Sequence, residues 1–158
     1  MVKAQSRTLI KRPLEQVFSF IVDDFIRNYP RWSPEVKSLC ALTSGPLRPG
    51  WTGRQVRVDQ GRRTETEFRV VTLEPGARIS FRGTTDPYRI DYEFKPRDGH
   101  TELTFTFELA KLGFAMRPFE KLIRIAVQEG TDRTARNIKG LAETELEPLS
   151  PTPPPSWN

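Results

Sequence analysis

Few side chains in this sequence have the chemistry of a catalytic or metal-binding centre. The chain has one histidine, His100, and one cysteine, Cys40. His100 follows an Asp-Gly pair, which predicts an exposed turn, and Cys40 lies in an apolar segment, which predicts a buried structural thiol. A nucleophilic centre needs several such groups together, and a zinc site needs more ligands than these two residues supply. We therefore predict no catalytic residue, no metal site and no cofactor; calcium-loop, P-loop and dinucleotide-binding motifs are also absent from the sequence.

The remaining candidates are polar side chains that could face the interior. Tyr88 and Tyr92 fall on the apolar face of a predicted strand, and a buried tyrosine hydroxyl needs a hydrogen-bond partner. These hydroxyls could orient a carbonyl or phenol of a ligand, or they could belong to core aromatics whose hydroxyls reach water or the backbone. Polar residues of a preceding hairpin could reach the same interior, although an error of one residue in the strand register would place them on the opposite face of the sheet. They are Arg54, Gln55, Thr64 and Thr66.

A run of strands must position these side chains. Residues 2–10 predict a first strand, residues 13–22 a short amphipathic helix, and the following segment a second short helix that ends at or before Pro30. From residue 36 the sequence alternates with period two and is interrupted by turn residues, which predicts an antiparallel meander. The predicted strands are 36–43, 51–58, 64–73, 78–84, 88–94 and 101–109.

The last two strands have one apolar and one charged face, so another element must cover the apolar side. A long helix over residues 116–145 is predicted to do this. Its predicted sheet-facing stripe consists of Phe119, Leu122, Ile123, Ala126, Val127, Gly130, Thr134, Ile138 and Leu141.

Gly130 lies on this stripe, with the small residues Ala126 and Thr134 one turn away on either side. Small residues opposite an aromatic wall indicate either a gap suited to an apolar ligand or very close packing of helix on sheet. If there is a gap, we expect an apolar cavity between the sheet and the helix. Its predicted lining is Phe68, Phe81, Tyr88, Ile90, Tyr92, Phe105, Phe107, Phe119, Ile123, Ala126, Gly130 and Thr134.

Composition limits the possible partners. The net charge is +5, but the basic residues are scattered and form no basic run, so no specific nucleic-acid partner is expected. No segment approaches the roughly 20 apolar residues of a membrane-spanning helix, and the start lacks a secretory signal, which favours a cytoplasmic protein. We expect one domain over residues 1–147 and a disordered proline-rich tail over residues 148–158, in a monomer or a homodimer.

Several segments, in order and spacing, resemble the polyketide cyclase/dehydrase branch of the START-like (SRPBCC) superfamily. The resemblance spans about residues 5 to 146 and has no catalytic residues to transfer. The segments are Ile10–Phe18, Tyr29–Val36, Thr43–Pro46 with Gly50, Leu73–Pro75, Ile79–Phe81 and Gly99–Thr104.

The resemblance implies an α+β helix-grip fold: two short helices after the first strand, and a curved seven-stranded antiparallel sheet wrapped around a long C-terminal helix. It also implies binding, and possibly transport, of a hydrophobic small molecule such as a lipid, a polyketide or an aromatic metabolite. Two alternatives stay open. One is a polyketide cyclase or aromatase, which the sequence does not favour because no acid–base pair is evident. The other is a basic module that binds RNA, the ribosome or an anionic membrane.

Overall fold

The computed structural model describes residues 1–110 and 112–148, so the predicted proline-rich tail lies almost wholly outside the described residues. Seven strands form one sheet in the order β1-β7-β6-β5-β4-β3-β2, with every neighbouring pair antiparallel. The elements are β1 (Val2–Ile10), α1 (Leu14–Phe18), a π-helical turn (Ser19–Asp23), α2 (Phe25–Trp32), β2 (Val36–Ala41), β3 (Thr52–Asp59), β4 (Arg62–Glu74), β5 (Arg78–Gly83), β6 (Tyr88–Arg97), β7 (His100–Leu109), a 3₁₀ helix (Phe114–Phe119) and α3 (Glu120–Glu145).

This arrangement confirms the predicted α+β helix-grip fold and its antiparallel meander. Strands β2 to β7 follow one another in space as in the sequence, and β1 pairs with β7. The helices α1 and α2 carry the chain from β1 to β2, at the opposite edge of the sheet. The β3–β4 hairpin turns through Gln60 and Gly61, both with positive φ, as a tight two-residue turn requires.

The core fills one end of the space between sheet and helices. It is mainly aromatic: Phe25 of α2 stacks on Phe81 of β5 with ring centroids 4.8 Å apart, and Phe68 meets Phe81 edge to face. The C-terminal half of α3 closes this end with Ile138 and Ala142, both fully buried.

The two halves of α3 pack differently, which corrects the predicted stripe. The buried residues of α3 are Thr131, Ala135, Ile138 and Ala142. Phe119 and Leu122 are 52% and 67% exposed instead. The C-terminal half therefore anchors the helix in the core, while the N-terminal half does not pack tightly on the sheet.

Side chains of α3 also protect the exposed edge of the sheet at β1. Gln128 and Lys139 donate hydrogen bonds to the backbone carbonyls of Gln5 and Leu9. An edge strand otherwise offers unpaired backbone groups to other chains. These bonds fix α3 along β1.

The predicted end of α2 was wrong, because the helix continues through Pro30 to Trp32. Tyr29 and Trp32 are both buried, so core packing favours the last turn. The proline deprives the Ile26 carbonyl of its helical donor, and Ile26 is an exposed residue whose carbonyl can bind water.

Two further predictions about single residues were wrong. Cys40 is exposed, because β2 is an edge strand with no fully buried side chain after Val36. His100 is half-buried as the first residue of β7, and its Nδ1 is buried without a hydrogen-bond partner among the described residues.

Candidate functional site

A cavity of about 800 Å³ lies between the sheet and the N-terminal half of α3. Ile90, Phe105, Phe107 and Leu109 form its apolar sheet wall. The facing helix wall consists of Ile123, Ala126, Val127, Gly130, Thr131 and Thr134. The cavity therefore occupies the end of the fold that the aromatic core leaves unfilled.

Small residues on α3 keep this space open. A Cβ placed at Gly130 would have no neighbour nearer than the Arg133 guanidinium, at 3.9 Å. Of the two interpretations of Gly130, the structure therefore supports a gap and excludes close packing on the sheet. Thr131 and Thr134 donate their hydroxyl hydrogens to helix carbonyls one turn earlier, at 2.7 and 2.9 Å. Neither hydroxyl hydrogen is thus available to the cavity.

The structure brings nine of the predicted lining residues together on the cavity wall and leaves three outside it. Phe68 and Phe81 belong to the aromatic core and border only a small gap of about 10 Å³. Phe119 lies in the 3₁₀ turn before α3, where the α-helical spacing that placed it on the stripe does not apply. The nine residues on the wall are Tyr88, Ile90, Tyr92, Phe105, Phe107, Ile123, Ala126, Gly130 and Thr134.

A hydrogen-bonded group from α2 and β3 forms a polar patch on the wall. The Tyr29 hydroxyl donates to Gln55 Oε1 at 2.8 Å and accepts from Arg57 Nη1 at 3.3 Å. Gln55 and Arg57 point to the same side of β3 because they are two residues apart. Tyr29 and Gln55 are buried, so this wall offers fixed polar groups within an otherwise apolar space.

The patch continues on both sides of these three residues. Gln55 Nε2 donates to Thr66 Oγ1 at 3.3 Å and lies 3.4 Å from the Tyr88 hydroxyl. Arg57 also donates to both carboxylate oxygens of Asp59, each at 3.2 Å, beside the tight turn of the hairpin. The patch thus runs from buried neutral groups to a charged pair near the surface.

Sequence reasoning located this patch only in part. Gln55, Thr64 and Thr66 do line the cavity, whereas Arg54 faces outward and pairs with Glu67 at 2.9 Å. The sequence analysis missed Arg57, although its two-residue spacing from Gln55 places both side chains on the same face of the strand. Tyr29 and Trp32 were missed because Pro30 suggested that the helix carrying them had ended.

The electrostatics of the wall favour hydrogen-bond donation over proton abstraction. Burial raises the pKa of the Tyr29, Tyr88 and Tyr92 phenols above the ordinary value, so all three stay protonated near neutral pH. Burial lowers the pKa of the Arg57 guanidinium, but its hydrogen bonds to Asp59 and its coulombic interactions with Tyr29, Asp59 and Glu35 together outweigh this, and the net shift is upward. The patch therefore presents neutral phenols and a permanent cation.

Trp32 contributes a donor that is not used. Its side chain is 1% exposed and lines the cavity, and its indole Nε1 has no hydrogen-bond partner among the described residues. The indole and phenol rings of Trp32 and Tyr92 pack edge to face, with centroids 6.2 Å apart. A buried N–H without a partner is rare in folded proteins.

The rim of the cavity joins α3 to the segment before β2. Arg133 of α3 and Glu35 form an ion pair at 3.5 Å, and both residues line the cavity. Arg133 is largely solvent-exposed, so the pair contributes little to stability but bridges two walls of the opening. Within residues 1–110 and 112–148, no cluster of histidine, cysteine and acidic residues is suited to a metal ion.

Comparison with known families identifies this architecture. A family model described as polyketide cyclase/dehydrase and lipid transport matches residues 1–143. The chain belongs to this family. No curated protein matches its sequence significantly.

Solved structures of similar proteins share the fold of this family member. The protein TTHA0849 of Thermus thermophilus superposes with a TM-score of 0.76 at 17% identity, over 92% of this chain and 99% of that one. The Polyketide_cyc-like protein Cgl2372 of Corynebacterium glutamicum is 25% identical, with a TM-score of 0.65 over 92% and 93% of the two chains. DynU16, a putative protein in the dynemicin biosynthetic locus, is 16% identical, with a TM-score of 0.65 over 91% of this chain and 48% of its own.

The family and the fold suggest binding of a hydrophobic ligand or a cyclase-type role. None of the helices in the described residues combines the length and the apolar character needed to cross a membrane.

Proposed function

We propose that this protein binds an apolar small molecule, such as a lipid, a polyketide or an aromatic metabolite, in the cavity between the sheet and α3. The observation that carries the proposal is the cavity of about 800 Å³, with apolar walls on two sides and one hydrogen-bonded polar patch. Small-molecule sites have this size and this combination of walls. Burial of ligand surface supplies affinity, and the polar patch sets orientation.

Native mass spectrometry of the protein as purified from cells tests the proposal, followed by denaturing extraction of any bound compound. We expect near-stoichiometric co-purification of a lipid or aromatic metabolite. An empty protein that also gains no thermal stability from a panel of lipids and polyphenols would contradict the proposal.

A matched pair of variants locates the binding. Leucine at Gly130 would project into the open space, so Gly130→Leu should lose the bound compound. Gly140 lies on the same helix with nothing near its Cβ and does not line the cavity, so Gly140→Leu should retain the compound. Both variants replace a helical glycine and should be at least as stable as the wild type. Equal retention by the two variants would place the ligand elsewhere.

A second candidate function, a polyketide cyclase, is favoured by one feature of the same wall. The Arg57 guanidinium lies on the cavity wall, held by its hydrogen bond to the Tyr29 hydroxyl at 3.3 Å, and its remaining N–H groups can donate to a carbonyl oxygen. Such donors stabilise the negative charge that develops on oxygen during aldol closure. The family includes cyclases and dehydrases.

The cyclase candidate is tested with a reactive poly-β-ketone incubated with and without the protein. A changed product distribution that is lost in Arg57→Gln but kept in Arg54→Gln, which alters an outward-facing arginine of the same strand, would support it. An unchanged product distribution, together with tight binding of the finished aromatic product, would leave binding as the function.

A further inference from the structure

The segment that leads into α3 exposes an unusual concentration of large apolar side chains. Nine large hydrophobic residues are exposed in the described chain, and five of them fall within residues 114–125. We name these five the helix-entry surface: Phe114, Met116, Phe119, Leu122 and Ile125, with exposures of 86%, 47%, 52%, 67% and 50%. Single exposed hydrophobics are ordinary, but a cluster of this kind marks an interaction site.

The helix-entry surface borders the opening of the cavity. Ile123 and Ala126 line the cavity, and they lie on the same helical turns as Leu122 and Ile125. The residues that would contact a partner and the residues that would contact a ligand are therefore neighbours on one stretch of helix.

Basic side chains are interleaved with these apolar ones. Within residues 114–126 there are three basic residues, Arg117, Lys121 and Arg124, and one acidic residue, Glu120. Arg124 pairs with Glu120 at 2.9 Å, whereas Arg117 and Lys121 form no ion pair among the described residues. Arg117 lies over the Phe114 ring, with its guanidinium carbon 5.6 Å from the ring centroid.

The combination of exposed apolar and unpaired basic side chains distinguishes between two partners that could cover the helix-entry surface: a second copy of the chain and a lipid bilayer. A two-fold contact between copies of the chain would place the same surface on both sides and bring the unpaired cations towards their own copies. An anionic lipid surface would accept the apolar side chains at the acyl boundary and neutralise the cations with its headgroups. The charges favour the lipid surface.

We propose that the helix-entry surface docks onto anionic lipid bilayers, with the cavity opening held next to the lipid. Docking does not require the cavity to hold a ligand. The docking experiments can therefore fail while the proposed function holds, and the reverse. The chain associates with the bilayer surface without crossing it.

Flotation of the full chain with vesicles tests the docking. Vesicles of phosphatidylcholine alone are compared with vesicles that also contain phosphatidylglycerol. We expect flotation with the anionic vesicles, weak or no flotation with the neutral ones, and release as salt is raised, because salt screens charges at the surface. Absence of flotation with anionic vesicles, or equal flotation with both kinds, would overturn the proposal.

Matched variants assign the docking to the helix-entry surface. Lys121→Glu should weaken binding to anionic vesicles by about tenfold or more, whereas Lys95→Glu, with the same charge change at an exposed position of β6 away from the cavity, should change it little. Leu122→Ser should also weaken binding, whereas Leu42→Ser removes an exposed leucine elsewhere and should not. Equal losses in each pair would overturn the assignment.

Light scattering on the same proteins tests the alternative that a second copy of the chain covers the helix-entry surface. We expect the oligomeric state of the wild type and of Leu122→Ser to be the same. A dimer of the wild type that Leu122→Ser dissociates would show that a second copy covers this surface, and would overturn lipid docking.

Discussion

The Tyr29 hydroxyl joins α2 to β3 by donating to Gln55 and accepting from Arg57. Tyr29→Phe keeps the buried ring but leaves Gln55 Oε1 without its donor. We expect this to lower the free energy of unfolding by about 1–2 kcal/mol, because a buried polar group loses its partner. Urea-induced unfolding followed by circular dichroism measures the change.

Tyr88→Phe is the control for Tyr29→Phe. The Tyr88 hydroxyl is half-buried and lies 3.4 Å from Gln55 Nε2, at the long end of hydrogen bonding. Its removal should cost less than about 0.5 kcal/mol. A larger loss for Tyr88→Phe than for Tyr29→Phe would show that the polar patch is organised around Tyr88.

The three tyrosines of the chain all line the cavity, which makes their ionisation directly measurable. Burial raises the pKa of each phenol above 10.0, the value in an unfolded chain. Near pH 10 the unfolded chain therefore loses phenol protons that the folded protein retains. Stability should be unaffected by these groups below pH 10.0 and should fall as pH rises beyond it.

Absorbance of tyrosinate in the near ultraviolet tests this difference. The native protein should show little tyrosinate at a pH where the urea-unfolded chain is about half ionised. Coincident titration curves for the native and unfolded forms would mean that the phenols reach water, and that the cavity wall is not as buried as the structure has it.

At the scale of single residues, sequence reasoning found groups that share a strand more readily than groups that meet across elements. Tyr88 and Tyr92 lie on one face because strand side chains alternate, and this was predicted. The contact of Tyr29 with Gln55 depends on how α2 packs against the sheet. Nothing in the local spacing of either segment specifies that packing.

Two glycines in different elements should respond in opposite ways to alanine. Gly140 lies in α3 with nothing within 4 Å of its Cβ position, so Gly140→Ala should stabilise the protein by about 1 kcal/mol through helix propensity. Gly53 of β3 lies under two buried rings, and a Cβ there would be 2.8 Å from Trp51 and 2.9 Å from Phe68. Gly53→Ala should therefore destabilise it by about 1–3 kcal/mol.

Thermal unfolding of both variants beside the wild type measures these effects. The same substitution thus tests helix propensity at Gly140 and steric crowding at Gly53. If Gly53→Ala unfolds at the wild-type temperature, the rings over β3 can move aside and the strand is less tightly covered than its burial indicates.

At the scale of elements, the strands were predicted closely and the helices less well. Turn residues and alternation are local signals, and they located β6 and β7 to within a few residues. On the predicted stripe of α3, Phe119 was placed wrongly because it lies in the 3₁₀ helix Phe114–Phe119, where α-helical spacing does not apply. The distance between α3 and the sheet depends on the packing of the whole fold. Sequence spacing alone therefore did not decide whether Gly130 marks a gap or close packing.

Across the whole molecule, packing is divided between a filled end and an open end, and local stability should follow that division. Residues 131–145 of α3 include all its fully buried side chains, whereas residues 120–130 border the cavity and solvent. Backbone amides in poorly packed regions open at lower free energy. Hydrogen exchange followed by mass spectrometry should therefore show faster exchange in 120–130 than in 131–145.

The same division predicts how occupation of the cavity changes the dynamics of α3. A bound apolar compound should slow exchange more in residues 120–130 than in residues 131–145, because no residue of α3 after Thr134 lines the cavity. Gly130→Leu should produce part of this protection without a ligand, because its side chain occupies some of that space, whereas Gly140→Leu should not protect the first half. Uniform exchange along α3, with or without a ligand, would mean that the helix opens as one unit. The cavity would then be reached by release of the whole helix rather than by movement of its first half.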